Sequence, residues 1–273
     1  MLPSLHLLPL LLALTIRPPS SPVHVYPARV LESYPHDADA FTQGLHLEED
    51  GTLIESTGLY GESTVRRVDV ESGRLLHCER LPGAWFGEGV TMQAGRCIQL
   101  LWREGLLLVR DARTLKLRDT VALPSGISEG WGITGDGAGS LFVSDGSDIL
   151  HELDAHSFRV KRRIAVHAAG RPLPNLNELQ WVRGEVWANL WHEDRLAVIE
   201  PRSGAVRCFV DLRGLLTAEE RRSLGRTPAL QQEAVLNGLA YDEPTGRLLV
   251  TGKLWPRLFA IATEALQKVE QKP

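Results

Sequence analysis

The sequence predicts an all-β fold, a five-bladed β-propeller with a short helical insert before the last blade, and two interleaved periodic patterns carry that prediction. In the first, an apolar strand runs into an acid, two variable residues and Ser or a relative, and then a second strand. Its copies are 67–76, 109–117, 152–160 and 198–206, with a degraded fifth at 260–266. Their acids, Asp69, Asp111, Asp154 and Glu200, lie 42, 43 and 46 residues apart, the length of one four-stranded blade. In the second pattern a polar residue beside Gly precedes an apolar strand, as in Thr42-Gln43-Gly44-Leu45, Gly87-Glu88-Gly89-Val90, Ser128-Glu129-Gly130-Trp131, Leu176-Asn177-Glu178-Leu179 and Leu236-Asn237-Gly238-Leu239. Five copies imply five blades. A β-sandwich does not explain such a period.

Taken in chain order, the apolar run Leu7–Ile16, broken by Pro9, is too short to span a bilayer. With the Pro/Ser-rich stretch behind it, it reads as a signal or leader segment over 1–22, although it lacks a basic start. The mature chain is therefore expected to be exported, periplasmic or secreted, with no stable membrane insertion. Residues 23–273 form one domain. Val23–Val30 is expected to be the outer strand of the last blade, closing the ring and removing its exposed sheet edges. Second strands follow each polar-Gly copy at 53–57, 97–102, 141–145, 186–191 and 248–253, all rich in Val, Leu, Ile and Trp. The long last spacing reflects an insert over about 214–233, where Thr217-Ala-Glu-Glu220 is a capping box and Pro228 opens a second helical turn.

With 273 residues and 43% hydrophobic composition, the chain is long and apolar enough for a sizeable core. Thirty basic against 34 acidic residues give a net charge of −4 without basic clusters, so no nucleic-acid partner is expected. Cys78, Cys97 and Cys208 form no CxxC pair and read as small buried residues. Zincin, nucleophile-elbow, P-loop and dinucleotide-binding motifs are absent from the sequence. His36-Asp37-Ala38-Asp39 reads as a turn rather than a metal site, and neither metal nor cofactor is expected.

In a propeller the first strand of each blade lines the central channel, so Gln43, Glu88, Glu129, Asn177 or Glu178, and Asn237 are expected to converge on one mouth. Around them the sequence places Phe41, Trp85, Phe86, Trp102, Trp131, Trp191 and Lys253. Aromatic walls with a few placed polar groups describe a small-ligand site. Glu88, between two glycines and after Trp85-Phe86, is the carboxyl whose desolvation would raise its pKa from about 4.3 toward neutrality, where it can act as both acid and base.

The stretches 34–44, 55–66, 86–89, 129–132, 177–179, 186–191, 235–242 and 250–256 together resemble the plant-type glutaminyl-peptide cyclotransferases of plants and bacteria. That resemblance spans nearly everything from Tyr34 to Pro256 and implies a five-bladed propeller that converts N-terminal glutamine to pyroglutamate with release of ammonia, without a metal. It further implies Glu88 as the proton-transferring residue and Lys253 beside the developing negative charge, Lys253 also being readable as the partner of a channel carboxylate. Phe41, Phe86, Trp102, Trp131 and Trp191 would wall the pocket, with Gln43 and Asn177 binding substrate. Partners would be peptides or proteins beginning with Gln, and the enzyme would be monomeric. Gln180 departs from the family pattern, in which an acid is expected. Two other readings stand beside this one: a calcium-dependent propeller lactonase, because Glu and Asn at a channel mouth also bind hard cations, and a peptide-binding propeller without catalysis.

Overall fold

The computed structural model describes residues 22–263. Residues 1–21 and the end of the degraded fifth repeat, 264–266, lie outside that range, and so does nearly all of the predicted leader. Five blades, each built on four antiparallel strands, surround one axis. Their innermost strands, Thr42–Leu47, Gly87–Gln93, Ile133–Gly135, Leu176–Val182 and Leu236–Asp242, contact one another in ring order.

The acid of the first pattern builds the hairpin between the third and fourth strands of blades one to four. Asp69, Asp111 and Asp154 each accept the backbone N–H of the Ser or Thr three residues on, at 2.8–2.9 Å, and Glu200 accepts that of Ser203 at 2.7 Å. The next residue in each turn, Gly73, Leu115, Phe158 or Gly204, has φ between 57° and 76°. Two of the four are not glycine, and in both the side chain is buried: Leu115 is fully covered and Phe158 nearly so. Apolar burial offsets the cost of the left-handed conformation there.

Ring closure differs from expectation. The outer strand of the fifth blade is Val30–Pro35, which pairs antiparallel with Arg257–Ala262. The segment before it, His24–Pro27, instead runs parallel to Val206–Asp211 and adds a fifth strand to the fourth blade. Val23–Val30 therefore does not close the last blade. The N-terminal chain seals the fourth blade's edge first and then steps to the fifth, tying two blades together. For the same reason the fifth repeat is degraded: its third strand needs no hairpin, because its partner comes from the other end of the chain.

The insert forms two short helices, Ala218–Ser223 and Pro228–Glu233. The first carries the predicted capping box, with the Thr217 side chain accepting from the Glu220 N–H and the Glu220 carboxylate accepting from the Thr217 N–H. Leu216, Leu224 and Ala234 bury the insert against Trp255 in the largest apolar cluster. Cys97 and Cys208 are buried and Cys78 half-buried, all three free. Burial pushes the Cys97 thiol up to about 12.

The glycines of the second pattern set how tightly the ring closes. A β-carbon on Gly44 would lie 2.5 Å from the Val90 nitrogen and one on Gly89 2.7 Å from the Trp131 oxygen. On Gly132 it would lie 2.2 Å from the Asn177 oxygen. These are backbone atoms with no freedom to withdraw. Gly89→Ala is expected to destabilise the protein by about 1–3 kcal/mol. Gly83→Ala, whose new carbon would meet nothing closer than 3.8 Å, should stay within about 0.5 kcal/mol of the parent. Thermal denaturation of the two variants side by side checks the difference.

Candidate functional site

In four blades the strand pairing slips at the polar residue, between Thr42 and Gly44, Gly87 and Val90, Leu176 and Leu179, and Leu236 and Leu239. Each slip is a β-bulge, which turns the side chain of the bulged residue away from the sheet. Gln43, Glu88, Asn177 and Asn237 are thereby gathered at one mouth of the channel, all buried.

The third blade corrects the sequence reading. Gly132, not Gly130, takes the position of Gly44 and Gly89 against the neighbouring backbones, so Trp131 occupies the place of Gln43 and Glu88. Glu129 stands outside the polar ring. It is half-buried, accepting from Trp102 Nε1 at 2.8 Å, Trp131 Nε1 at 3.0 Å and Arg103 Nε at 3.0 Å. The motif has two glycines two residues apart, and periodicity alone cannot choose between them. The two neighbouring residues of the fourth-blade copy also separate: Asn177 lines the mouth, whereas Glu178 sits where the other blades have glycine and reaches across to accept from the Leu45 N–H at 3.0 Å.

A cavity of about 430 Å³ opens over this ring, lined by Phe41, Gln43, Phe86, Glu88, Trp102, Trp131, Asn177, Trp191 and Lys253, the nine residues to which the family resemblance gives a place in the site. The aromatics brace one another. Phe86 packs edge-on to Phe41 at 6.2 Å and tilted against Trp102 at 5.3 Å, and Trp131 meets Trp191 edge-on at 5.5 Å. Trp85, also expected here, packs instead against Leu81, Leu101 and Leu108. Sequence reasoning missed Leu59, Arg103 and Glu233, which complete the wall. Arg103 lies over the Trp102 ring at 3.7 Å, and Glu233 comes from the second helix of the insert. None of the three falls on the repeat, so no periodic signal marks them.

A hydrogen-bond relay fixes the carboxyl at the centre. Asn237 Nδ2 donates to Gln43 Oε1 at 3.0 Å, which leaves the Gln43 Nε2 to donate to Glu88 Oε1 at 3.0 Å. Lys253 lies over the Phe41 ring, 4.9 Å from its centroid. Burial pushes the Glu88 pKa well above the usual carboxylate range. The Lys253 charge opposes that rise, and the Glu129 and Glu104 charges add to it. Burial lowers the Lys253 pKa in turn, against the pull of Glu88 and Glu233. Burial thus draws the two pKa values toward each other, the carboxyl up and the amine down. Glu178, also fully buried, is raised well above the usual range by desolvation, against the Leu45 N–H bond, with the Glu88 charge adding to the rise. The Asn177 Oδ1 is buried without a hydrogen-bond partner.

A larger cavity of about 560 Å³ occupies the opposite mouth, where the inner strands end at Leu47, Gln93 and Gly135. Gln180 opens there, away from the candidate site. Acidic loops rim it, and it holds none of the residues above. Among the described residues, no three His, Cys, Asp or Glu side chains are grouped to hold a metal ion. The stretch after His36 forms the expected turn, with Asp37 accepting from the Asp39 N–H at 3.0 Å.

The family model described as glutamine cyclotransferase matches residues 6–263. Glutaminyl-peptide cyclotransferase of Arabidopsis thaliana is 39% identical over 236 residues, 85% of this chain and 70% of the relative. The crystal structure of Myxococcus xanthus glutaminyl cyclase matches with a TM-score of 0.78 at 36% identity, covering 88% of this chain and 97% of that one.

Because Glu129 holds two of the pocket's indoles through one oxygen, Glu129→Ala is expected to loosen both. Acrylamide quenching of tryptophan emission should rise in this variant while the melting temperature stays near that of the parent. Unchanged quenching would mean that the indoles are held by packing alone.

Proposed function

The chain belongs to the glutamine cyclotransferase family, and on that footing we propose that it closes N-terminal glutamine of peptides and proteins to pyroglutamate with Glu88 as its single proton carrier. The observation that carries this assignment is the position of Glu88: a buried carboxyl at the floor of an aromatic pocket, oriented by Gln43 and facing the charge of Lys253.

The reaction is intramolecular. The substrate α-amine attacks its own side-chain amide carbon, a C–N bond forms as a five-membered ring closes, and the C–N bond to the amide nitrogen breaks to release ammonia. No protein nucleophile is required. The pocket's contribution is to fold the glutamine side chain back on its amine, for which the indoles of Trp102, Trp131 and Trp191 and the Phe41 and Phe86 rings provide the walls. The free Oδ1 of Asn177 accepts an N–H of the substrate.

Glu88 in its ionised form takes the proton from the attacking amine and hands it to the departing nitrogen, ending as it began. One group suffices because the two nitrogens are bound to the same carbon in the tetrahedral intermediate. Lys253 stabilises the oxygen on which negative charge develops. Charge stabilisation of that kind is strongest where water is excluded, and both groups are almost fully covered.

We also propose that the mature enzyme acts outside the cytoplasm as a monomer, its membrane-directed information confined to the apolar run 7–16. Among the described residues no helix is long and apolar enough to cross a membrane. N-terminal sequencing of the native protein tests export, since an intact Met1 would count against it.

Incubation with a Gln-initiated dipeptide should yield ammonia and a product lighter by one NH3. Glu88→Gln, which preserves shape and the Gln43 contact, is expected to lower kcat by roughly 10²- to 10⁴-fold without unfolding the protein. Retained turnover would remove the assigned role. Activity that survives excess EDTA separates this reaction from a calcium-dependent lactonase. With a carboxyl raised above its ordinary range serving as base, the acidic limb of the kcat profile is expected above the usual glutamate value of about 4.3, activity falling as pH drops through it.

A further inference from the structure

Behind the pocket wall lies a second buried polar cluster to which no step of the reaction has assigned a part. Glu55, on the strand Thr52–Thr57 of the first blade, is wholly covered and satisfied from three sides. Thr42 Oγ1 donates to its Oε1 at 2.7 Å, Arg66 Nε donates to its Oε2 at 2.9 Å, and His36 Nε2 lies 3.0 Å from Oε1. Arg66 extends to Asp37 Oδ2 at 2.7 Å. The other ring nitrogen of His36, Nδ1, lies 2.7 Å from the backbone oxygen of Trp255. A carboxylate and a carbonyl are both acceptors, so both His36 nitrogens must donate and the ring is an imidazolium. His36 and Arg66 then balance Glu55 and Asp37.

This quartet touches two short segments, each carrying a residue that faces Glu88. Thr42 lies between Phe41 and Gln43. Trp255 ends the turn 252–255 that holds Lys253, in which Leu254 has φ 61° and donates its N–H to the Ala40 oxygen at 2.7 Å. His36 also donates its own N–H to the Pro256 oxygen at 3.0 Å. One side of the cluster therefore fixes the strand of Gln43 and the other fixes the turn of Lys253, from the first and fifth blades respectively.

We propose that Glu55 and His36 are positioning residues for the cyclisation: across the seam of blades one and five the quartet fixes the Lys253 turn against the strand of Gln43, which in turn holds Glu88 of the second blade, and so sets the separation between Lys253 and Glu88 during turnover. This rests on the function proposed above and goes beyond it by naming the device that tunes the base. The charged groups acting on Glu88 are Lys253, Glu129 and Glu104, with Glu178 also adjacent, and on Lys253 they are Glu88 and Glu233. Of these, only the Lys253 charge favours ionised Glu88. Releasing the turn that holds Lys253 weakens that help, so the Glu88 carboxyl titrates at higher pH.

The test compares His36→Ala, which cuts the link to Trp255, with Glu55→Gln, which keeps the shape of the side chain and removes its charge. Leu153→Ala in the third blade, a fully buried position remote from the site, serves as a stability-matched control. Both quartet variants are expected to lose roughly 10- to 100-fold in kcat, the cost of a small misplacement of catalytic groups, and to shift the acidic limb of the kcat profile upward. The control should lower the melting temperature and leave the limb in place. If the quartet variants melt lower with an unmoved limb, or if Leu153→Ala moves it equally, the proposal is overturned. Should Glu55→Gln fail to fold, His36→Ala carries the comparison alone. A carbon-13 titration of the Glu88 carboxyl, assigned with Glu88→Gln, reads the same shift without substrate. A parent protein that does not cyclise glutamine peptides would thus overturn the proposed function, while the titration would still decide the positioning role.

Discussion

The backbones of the inner strands come so close around the propeller axis that no side chain fits between most of them. Gly44, Gly89 and Gly132 each sit where a β-carbon would collide with the neighbouring blade's main chain, and Gly238 is packed against Thr42 and Leu45. The rest of the site follows from this closeness. A chain that must present glycine at one position and a bulge just before it presents the preceding side chain to the channel mouth, whatever that side chain is. Four blades use the place for Gln43, Glu88, Asn177 and Asn237, and the third uses it for Trp131. The one departure from glycine, Glu178, has its carboxyl on the first blade's Leu45 N–H, a tie across the axis rather than between neighbours in sequence.

Two carboxyls near the same mouth meet opposite electrostatic fates, and their hydrogen bonds explain why. Glu129 is partly desolvated, yet N–H donors from Trp131, Trp102 and Arg103 hold its pKa below the ordinary range. Glu88 is buried more deeply and receives one amide N–H, from Gln43, so desolvation wins and its pKa rises. Environments that drive paired carboxyls apart in this way divide labour between them: one stays ionised and structural, the other is poised to exchange a proton. Glu129 is thus a brace for the aromatic wall.

The repeat made much of this legible before any coordinates. Blade number, the acid-capped hairpins and the ring positions of Gln43, Glu88 and Asn177 depend on local chemistry recurring at a fixed period, and the insert's capping box on a purely local motif; the aromatic wall and Lys253 are placed beside that ring by sequence adjacency and family resemblance, and they line the same cavity. What escaped is non-local or degenerate. Nothing in residues 23–35 says which of two successive short strands pairs with which blade, because both are compatible with an edge position and the choice depends on partners some 180 to 230 residues away. In the third blade, Gly130-Trp131-Gly132 offers two registers, and only the collision of Gly132 with the Asn177 backbone selects one. Arg103, Glu233 and the His36–Glu55 cluster lie outside the period, in loops, the insert's second helix and a second strand, so their roles emerge only from three-dimensional proximity.

The floor and the entrance of the pocket are held by different forces. Gln43, Glu88 and Asn237 are locked by buried hydrogen bonds within a closed ring of sheets, and a rearrangement there would leave polar groups unpaired in the interior. The insert at the rim keeps its apolar anchors Leu216, Leu224 and Ala234 in the core, while its polar face is tied by partly exposed ion pairs: Arg226 to Glu62, Arg221 to Asp194, and Glu220 to Arg257. Exposed pairs of this kind contribute about 0–1 kcal/mol each and weaken with salt. The group that undergoes chemistry is small and identical in every substrate, so a rigid floor suits it. The remainder of a peptide varies in length and sequence and must leave through the entrance, past Arg103 and Glu233. A wall of modestly held charges there can accommodate that variety while the hydrogen-bonded floor keeps its shape.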